Sequence, residues 1–118
     1  MVGSVKRGDL VTVAARAPYA DKPRPAVIVQ SDAFPINSVT LCLITTERVE
    51  PTDLRIALVP DKTNYLDRES WIMIDKMLTV PRSQIGRAFG RLTPGELSRL
   101  DWALAIFLDL GGGRPARA

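Results

Sequence analysis

Along the chain, apolar residues gather into six short runs and one longer helical stripe. Leu10-Val11-Thr12-Val13, after an Arg7-Gly8-Asp9 turn, predicts a first short strand. Ala26 to Val29 is apolar and rich in β-branched side chains, the signature of a buried strand. Val39 to Ile44 predicts a second buried strand, reached through a loop from Asp32 to Ser38. Beyond a Glu50-Pro51-Thr52-Asp53 turn, Leu54 to Val59 predicts another, and Pro60 to Asp67 reads as irregular. Trp71 to Leu78 predicts a strand with large residues on both faces. Trp71, Met73 and Met77 fall on one face, Ile72 and Ile74 on the other, until Pro81-Arg82-Ser83 breaks it. Ile85 to Arg91 predicts a last short strand, with Gly86 and Gly90 suited to a bend or bulge.

The pattern then changes period. Thr93-Pro94-Gly95-Glu96 is a capping box with Thr93 as N-cap, Pro94 at N1 and Glu96 at N3. Leu92 and Leu97 stand where a hydrophobic staple would be. Leu97, Leu100, Ala103, Leu104, Phe107 and Leu108 recur at three- and four-residue steps and predict one apolar helix face. Gly111-Gly112-Gly113 is expected to end the helix. Several strands followed by one capped helix predict an α+β, mainly β fold: a small, partly closed barrel with a C-terminal helix packed on it. The expected division is one domain over 1–110 and a flexible tail over 111–118.

At 118 residues the chain has room for one core without crosslinks. No apolar run approaches the roughly 20 residues that span a bilayer, and the N-terminus lacks the apolar stretch of a signal peptide. A single cysteine, Cys42, rules out an internal disulfide and fits a reducing cytoplasm. Its apolar neighbours mark it as a structural thiol. The net charge of +3 permits a nucleic-acid partner without requiring one. The absence of histidine is more restrictive. It excludes histidine acid–base pairs, histidine metal sites and serine–histidine triads.

Chemistry concentrates in Lys22-Pro23-Arg24-Pro25-Ala26-Val27-Ile28-Val29-Gln30-Ser31-Asp32. Pro25 pushes Arg24 towards an extended backbone, so its guanidinium stands on stiff chain at the mouth of a core strand. That preorganisation suits a group gripping phosphate; the plain alternative is a solvated arginine in a proline-rich loop. Ala14 to Lys22, with Arg16, Tyr19 and Lys22, mixes an aromatic with cations, as single-strand binders do. Thr45-Thr46-Glu47-Arg48 places two hydroxyls, a carboxylate and a guanidinium at the end of the second buried strand.

Five segments in order resemble the MazF/PemK toxins: Val5 to Val11, Arg24 to Val29, Cys42 to Thr46, Arg68 to Met77 followed by Thr79-Val80 and Ile85-Gly86, and Leu92-Thr93 leading into the helix. The resemblance implies an SH3-like barrel of the MazF/CcdB kind, forming a homodimer, in a toxin–antitoxin system of type II. It implies a metal-independent, sequence-specific endoribonuclease acting on single-stranded RNA, with messenger RNA the first candidate and transfer or ribosomal RNA the others. The family's catalytic arginine falls on Arg24 and its catalytic threonine on Thr45, with Thr46 next in register. The candidate RNA contacts are Arg16, Tyr19, Lys22, Gln30, Ser31 and Thr46, and the Ala14–Lys22 loop corresponds to the family's lid. No metal or cofactor is expected. The partner implied is an antitoxin with an acidic tail that folds into the RNA groove. The chain departs from the family at Asp75-Lys76-Met77-Leu78, where a glutamine often follows the acidic residue and an arginine comes two positions on. The reaction implied is attack of the substrate's 2′-OH on phosphorus, giving a 2′,3′-cyclic phosphate and a 5′-OH, with no evident general base. Two other functions remain on the same barrel: a CcdB-like toxin poisoning DNA gyrase by protein contact, and a non-catalytic RNA-binding barrel.

Overall fold

The computed structural model describes residues 5–14, 23–48 and 52–111. Among these residues six strands form one antiparallel sheet: β1 (Asp9–Val13), β2 (Arg24–Ile28), β3 (Ser38–Thr45), β4 (Arg55–Leu58), β5 (Ser70–Pro81) and β6 (Gly90–Arg91), in the order β4-β5-β3-β2-β1-β6. A 3-10 turn over Arg82–Gln84 follows β5, and helix α1 spans Pro94–Phe107. The sheet curls into a half-barrel, so that Ile85 bridges back to Val13 of β1.

Strand alternation sorts the core into two layers. Leu10, Val27, Cys42, Ile44, Ile72 and Ile74 face α1, where Leu100, Ala103 and Leu104 meet them. Val11, Val13, Ala26, Ile28, Leu41 and Val80 face the opposite, inner side of the curl. Both faces are apolar because the strands are covered twice, once by the helix and once by the sheet itself.

The longest strand breaks the simple alternation. β3 and β5 pair Cys42 with Met77, but two residues later Ile44 pairs with Ile72. Residues Met73 to Lys76 therefore bulge past Leu43, which bends β5 and reverses its inside–outside order. Met77 consequently packs with Ile72 and Ile74 in the helix-side layer, and not on the face of Trp71 and Met73 as strict alternation predicts. The strand also runs on to Pro81, beyond the predicted end at Leu78, because Val80 and Pro81 still pair with Val39 and Ser38.

The capping box forms as predicted: Thr93 Oγ1 accepts from the Glu96 amide at 3.2 Å, and Glu96 Oε1 accepts from the Thr93 amide at 2.8 Å. The end of the helix does not follow the glycines. Asp109 takes the left-handed conformation, φ 58°. The Leu110 amide reaches Ala105 O at 2.8 Å and the Asp109 amide reaches Ile106 O at 3.1 Å, a Schellman closure completed before the glycine run. Phe107 and Leu108, expected on the buried face, are exposed in this last turn. Arg7 ties the helix to the sheet, with its Nη1 2.7 Å from Asp101 and its Nε donating to Val29 O at 2.8 Å. Gly90 lies so close to Asn64 O that a Cβ there would approach to 2.6 Å, and this close contact seats the short edge strand β6. Of the expected 111–118 tail, Gly111 is exposed and 112–118 lie outside the described residues. Among the described residues, no helix is long and apolar enough to cross a membrane.

Candidate active site

The inner face of the half-barrel opens into a groove at one end of β2 and β3. On β2, Ile28 and Ala26 point to the inner layer, so the same period of two carries Arg24 to that face. On β3, Leu41 and Leu43 point inward, and Thr45 continues their row. The ladder pairs Ile28 with Leu41, Val27 with Cys42 and Ala26 with Leu43. Continued by two residues, this register sets Arg24 directly across from Thr45, and such cross-strand neighbours stand about 5 Å apart at Cβ. Twenty-one positions of chain separate the two residues, and two adjacent strands bring them together.

Both line a groove of about 680 Å³ with Glu47, Met73, Lys76, Leu78, Thr79 and Gln84. Its floor is apolar, from Val13, Leu43 and Val80, and its rim carries Arg24, Lys76 and Glu47. The Glu47 amide donates to Thr45 Oγ1 at 3.0 Å. That bond occupies one lone pair of the hydroxyl and leaves its proton to be donated elsewhere. The Thr79 hydroxyl is held 2.6 Å from that of Thr40 across the ladder. Thr46 is exposed and does not line the groove.

Lys76 owes its place to the β5 bulge, which turns residues Met73 to Lys76 beside Leu43. Its Nζ lies 3.5 Å from Asp75 Oδ2. Asp75 itself is paired with the Arg55 guanidinium of β4. Burial pushes the Asp75 pKa up, but the hydrogen bond from Arg55, aided by the charges of Arg55 and Lys76, outweighs it and holds the carboxyl below its usual range. Cys42 is fully buried on the helix side. Burial, reinforced by the negative charge of Asp75, pushes its thiol up to about 12, so it stays protonated and inert.

Gln30 and Ser31 lie at the other end of β2, roughly 20 Å of strand rise from Arg24. Gln30 Oε1 accepts from the Thr40 amide and its Nε2 donates to Phe34 O, both at 3.0 Å. Ser31 Oγ accepts from the Ala33 amide at 3.1 Å. These two side chains line a separate hollow of about 370 Å³ with Lys6, Phe34 and Arg82. Arg16, Tyr19 and Lys22 lie outside the described residues. Thr79 and Gln84 reach the groove from β5 and the 3-10 turn; Thr79 stands in a segment of the family resemblance, and no local motif marks Gln84.

A family model for PemK-like, MazF-like toxins of type II toxin-antitoxin systems matches residues 6–108. A probable endoribonuclease MazF of Mycolicibacterium smegmatis is 42% identical over 109 residues, covering 92% of this chain and 100% of the relative. An endoribonuclease from a mycobacterial species, solved in complex with its cognate antitoxin, superposes with a TM-score of 0.74 at 23% identity, covering 95% of this chain and 100% of that one. The Mycobacterium tuberculosis toxin MazF-mt6 superposes at 0.69 with 25% identity, over 84% of this chain and 95% of that one.

Proposed function

The chain belongs to the PemK-like, MazF-like toxins of type II toxin-antitoxin systems, and on that premise we propose that its groove cuts single-stranded RNA between Arg24 and Thr45. It is an endoribonuclease toxin, as its Mycolicibacterium relative is named; the proposal concerns how and where it cuts. The observation that carries the reading is the register that sets Arg24 across from Thr45 at the open end of the inner face.

Cleavage requires the 2′-OH to be oriented, charge on the phosphorus oxygens to be stabilised and the 5′-oxygen to leave. The substrate's own hydroxyl is tethered beside the phosphorus, and such proximity can remove several kcal/mol from the barrier. Arg24 supplies two parallel donors to the phosphate oxygens as negative charge builds there. Thr45, with its oxygen held by the Glu47 amide, turns its hydroxyl proton to the same phosphate. The apolar floor and Met73 give a base somewhere to lie, while rim cations follow the backbone. Sequence preference would be set by the groove residues that replace the family's usual pattern, Lys76 and Leu78 among them.

A toxin that cuts RNA in its own cell acts in the cytoplasm and needs a neutralising partner, the antitoxin of its pair. A homodimer is supported by the exposed apolar side chains Trp102, Ile106 and Phe107 in the C-terminal half of α1 and Leu110 just past it; a monomer by light scattering at micromolar concentration would remove it. The gyrase-poisoning alternative is not favoured, because the matched family is that of PemK-like and MazF-like toxins.

The test is cleavage of a defined single-stranded RNA by purified protein in excess chelator. The expected products carry a 2′,3′-cyclic phosphate and a 5′-OH, readable by mass spectrometry. Intact RNA, or fragments with 5′-phosphate ends, would overturn the proposed chemistry.

A further inference from the structure

Transfer of the 2′-oxygen to phosphorus moves two protons, one off O2′ and one onto the departing O5′. Arg24 cannot remove the first, since an arginine guanidinium is not deprotonated in proteins. Thr45 already accepts the Glu47 amide and is a weak acid and base in any case. Two other ionisable side chains line the groove among the described residues, Glu47 and Lys76.

We propose that Glu47 is the general base and Lys76 the general acid of the cleavage reaction, an inference that rests on the Arg24–Thr45 groove being the active site. Their charge types fix the roles: a carboxylate has no proton to give, and an ammonium has no lone pair to accept one. An in-line displacement, with attacking and leaving oxygens on opposite sides of phosphorus, calls for one such group at each end, and the two enter the groove from different elements. Lys76 sits in the β5 bulge beside Leu43, two residues before Thr45 along β3, and Glu47 lies two residues beyond it. Both line the groove with Thr45, Lys76 from the bulge and Glu47 from the bend just past the end of β3, while Arg24 faces Thr45 from β2. The charged groups sharing the groove with Glu47 are Arg24 and Lys76. Asp75, paired with Arg55, lies behind Lys76, its Oδ2 3.5 Å from Nζ.

The protons and electrons balance without any further reactant. Glu47 takes the proton from O2′ as the O2′–P bond forms. The P–O5′ bond breaks with its electron pair going to O5′, which takes a proton from Lys76. Proton exchange with water returns Glu47 to the carboxylate and Lys76 to the ammonium.

The experiment compares two oligoribonucleotides that wild-type protein cleaves, identical except that one carries sulfur in place of the 5′-bridging oxygen at the scissile bond. A thiolate leaves without protonation, so this substrate needs the base but not the acid. Glu47→Gln should slow cleavage of both by about 10²-fold or more, remove the acidic limb of the pH–rate profile, and be partly restored by Glu47→Asp. Lys76→Met should slow the oxygen substrate by a similar factor, about 10², yet cut the sulfur substrate at nearly the wild-type rate. Thermal melts confirm that each variant is folded. Near-wild-type cleavage of the oxygen substrate by folded Glu47→Gln or Lys76→Met overturns the assignment. So does a Lys76→Met defect that sulfur does not relieve, or a Glu47→Gln defect with the acidic limb intact. Arg24→Ala serves as the reference: if it cuts normally, the active-site reading itself has failed, whereas an inactive Arg24→Ala beside active Glu47→Gln and Lys76→Met rejects only the proton-transfer pair.

Discussion

The two ends of β2 carry similar chemistry and use it differently. At one end Gln30 and Ser31 spend their polar atoms on nearby backbone, closing the turn from β2 to β3. At the other, Arg24 and Thr45 project from the last inward positions of their strands into a groove with a mixed-charge rim. The difference lies in what surrounds each polar group. A side chain next to unpaired backbone N–H and C=O groups satisfies them, because a lost partner is costly. A side chain that continues a core row past the end of the core reaches the groove as well: Thr45 takes the Glu47 amide much as Ser31 takes that of Ala33, yet it also lines the groove beside Arg24. The same contrast recurs within two residues of β5, where Asp75 is held under Arg55 while Lys76 lines the groove.

The largest effect that could break this comparison is expected at Arg24. Arg24→Ala should lower turnover by about 10²–10³, the usual loss for one donor to a developing oxyanion. Arg24→Lys should recover little, since a point charge does not reproduce the planar fork. The melting temperature should stay within a few degrees of wild type. Folded Arg24→Ala protein with near-normal turnover would remove the functional half of the contrast.

Next comes Asp75. Asp75→Ala leaves a largely buried guanidinium without its partner, at a cost of about 1–3 kcal/mol. The native pairing lowers the Asp75 pKa, so its stabilisation is present above the carboxyl's unfolded pKa and is lost as pH falls through the lower folded value. Thermal melts in a pH series should therefore show wild type and Asp75→Asn converging in acid and diverging towards neutrality. Parallel curves would contradict the pairing.

Gln30→Ala should cost about 1 kcal/mol of stability, through the Thr40 amide it leaves unsatisfied, and change turnover by less than about threefold, below 0.7 kcal/mol. A loss of turnover on the scale of Arg24→Ala, with stability intact, would move RNA contacts to this end. The smallest effect is expected at Cys42. With its thiol pushed up to about 12 and no exposure, the native protein should resist iodoacetamide at pH 8 and keep full activity. Labelling of folded protein at the rate of a free thiol would contradict its burial.

Much of this arrangement is legible along the chain, for reasons that differ by element. The N-terminus of α1 could be read to the residue because its cap is local: Thr93 and Glu96 serve each other's backbone. The C-terminus could not, because Asp109 adopts the left-handed turn before the glycines are reached. The inward rows ending in Arg24 and Thr45 follow from alternation, which holds in β2 and β3. In β5 alternation fails at the bulge, a feature set by pairing with β3 and β4 together, and that is why Met77 departs from the face that strict alternation predicts. Gln84 carries no signal and Thr79 only its place in the Thr79-Val80 match, since the curl of the sheet alone brings both to the groove. Gln30 shows the converse. A polar residue after a core strand reads the same in sequence whether it meets a ligand or closes its own turn.

The claim that the groove drives the substrate's own hydroxyl onto phosphorus is tested most directly at that hydroxyl. An oligoribonucleotide with a single 2′-deoxy sugar on the 5′ side of the scissile phosphate keeps its bases and phosphates, and should bind as the all-RNA strand does. It should remain uncut while the all-RNA strand is cleaved in the same tube. Cleavage of the deoxy-substituted strand at the normal rate would mean an external nucleophile, and would contradict the roles given to Arg24 and Thr45.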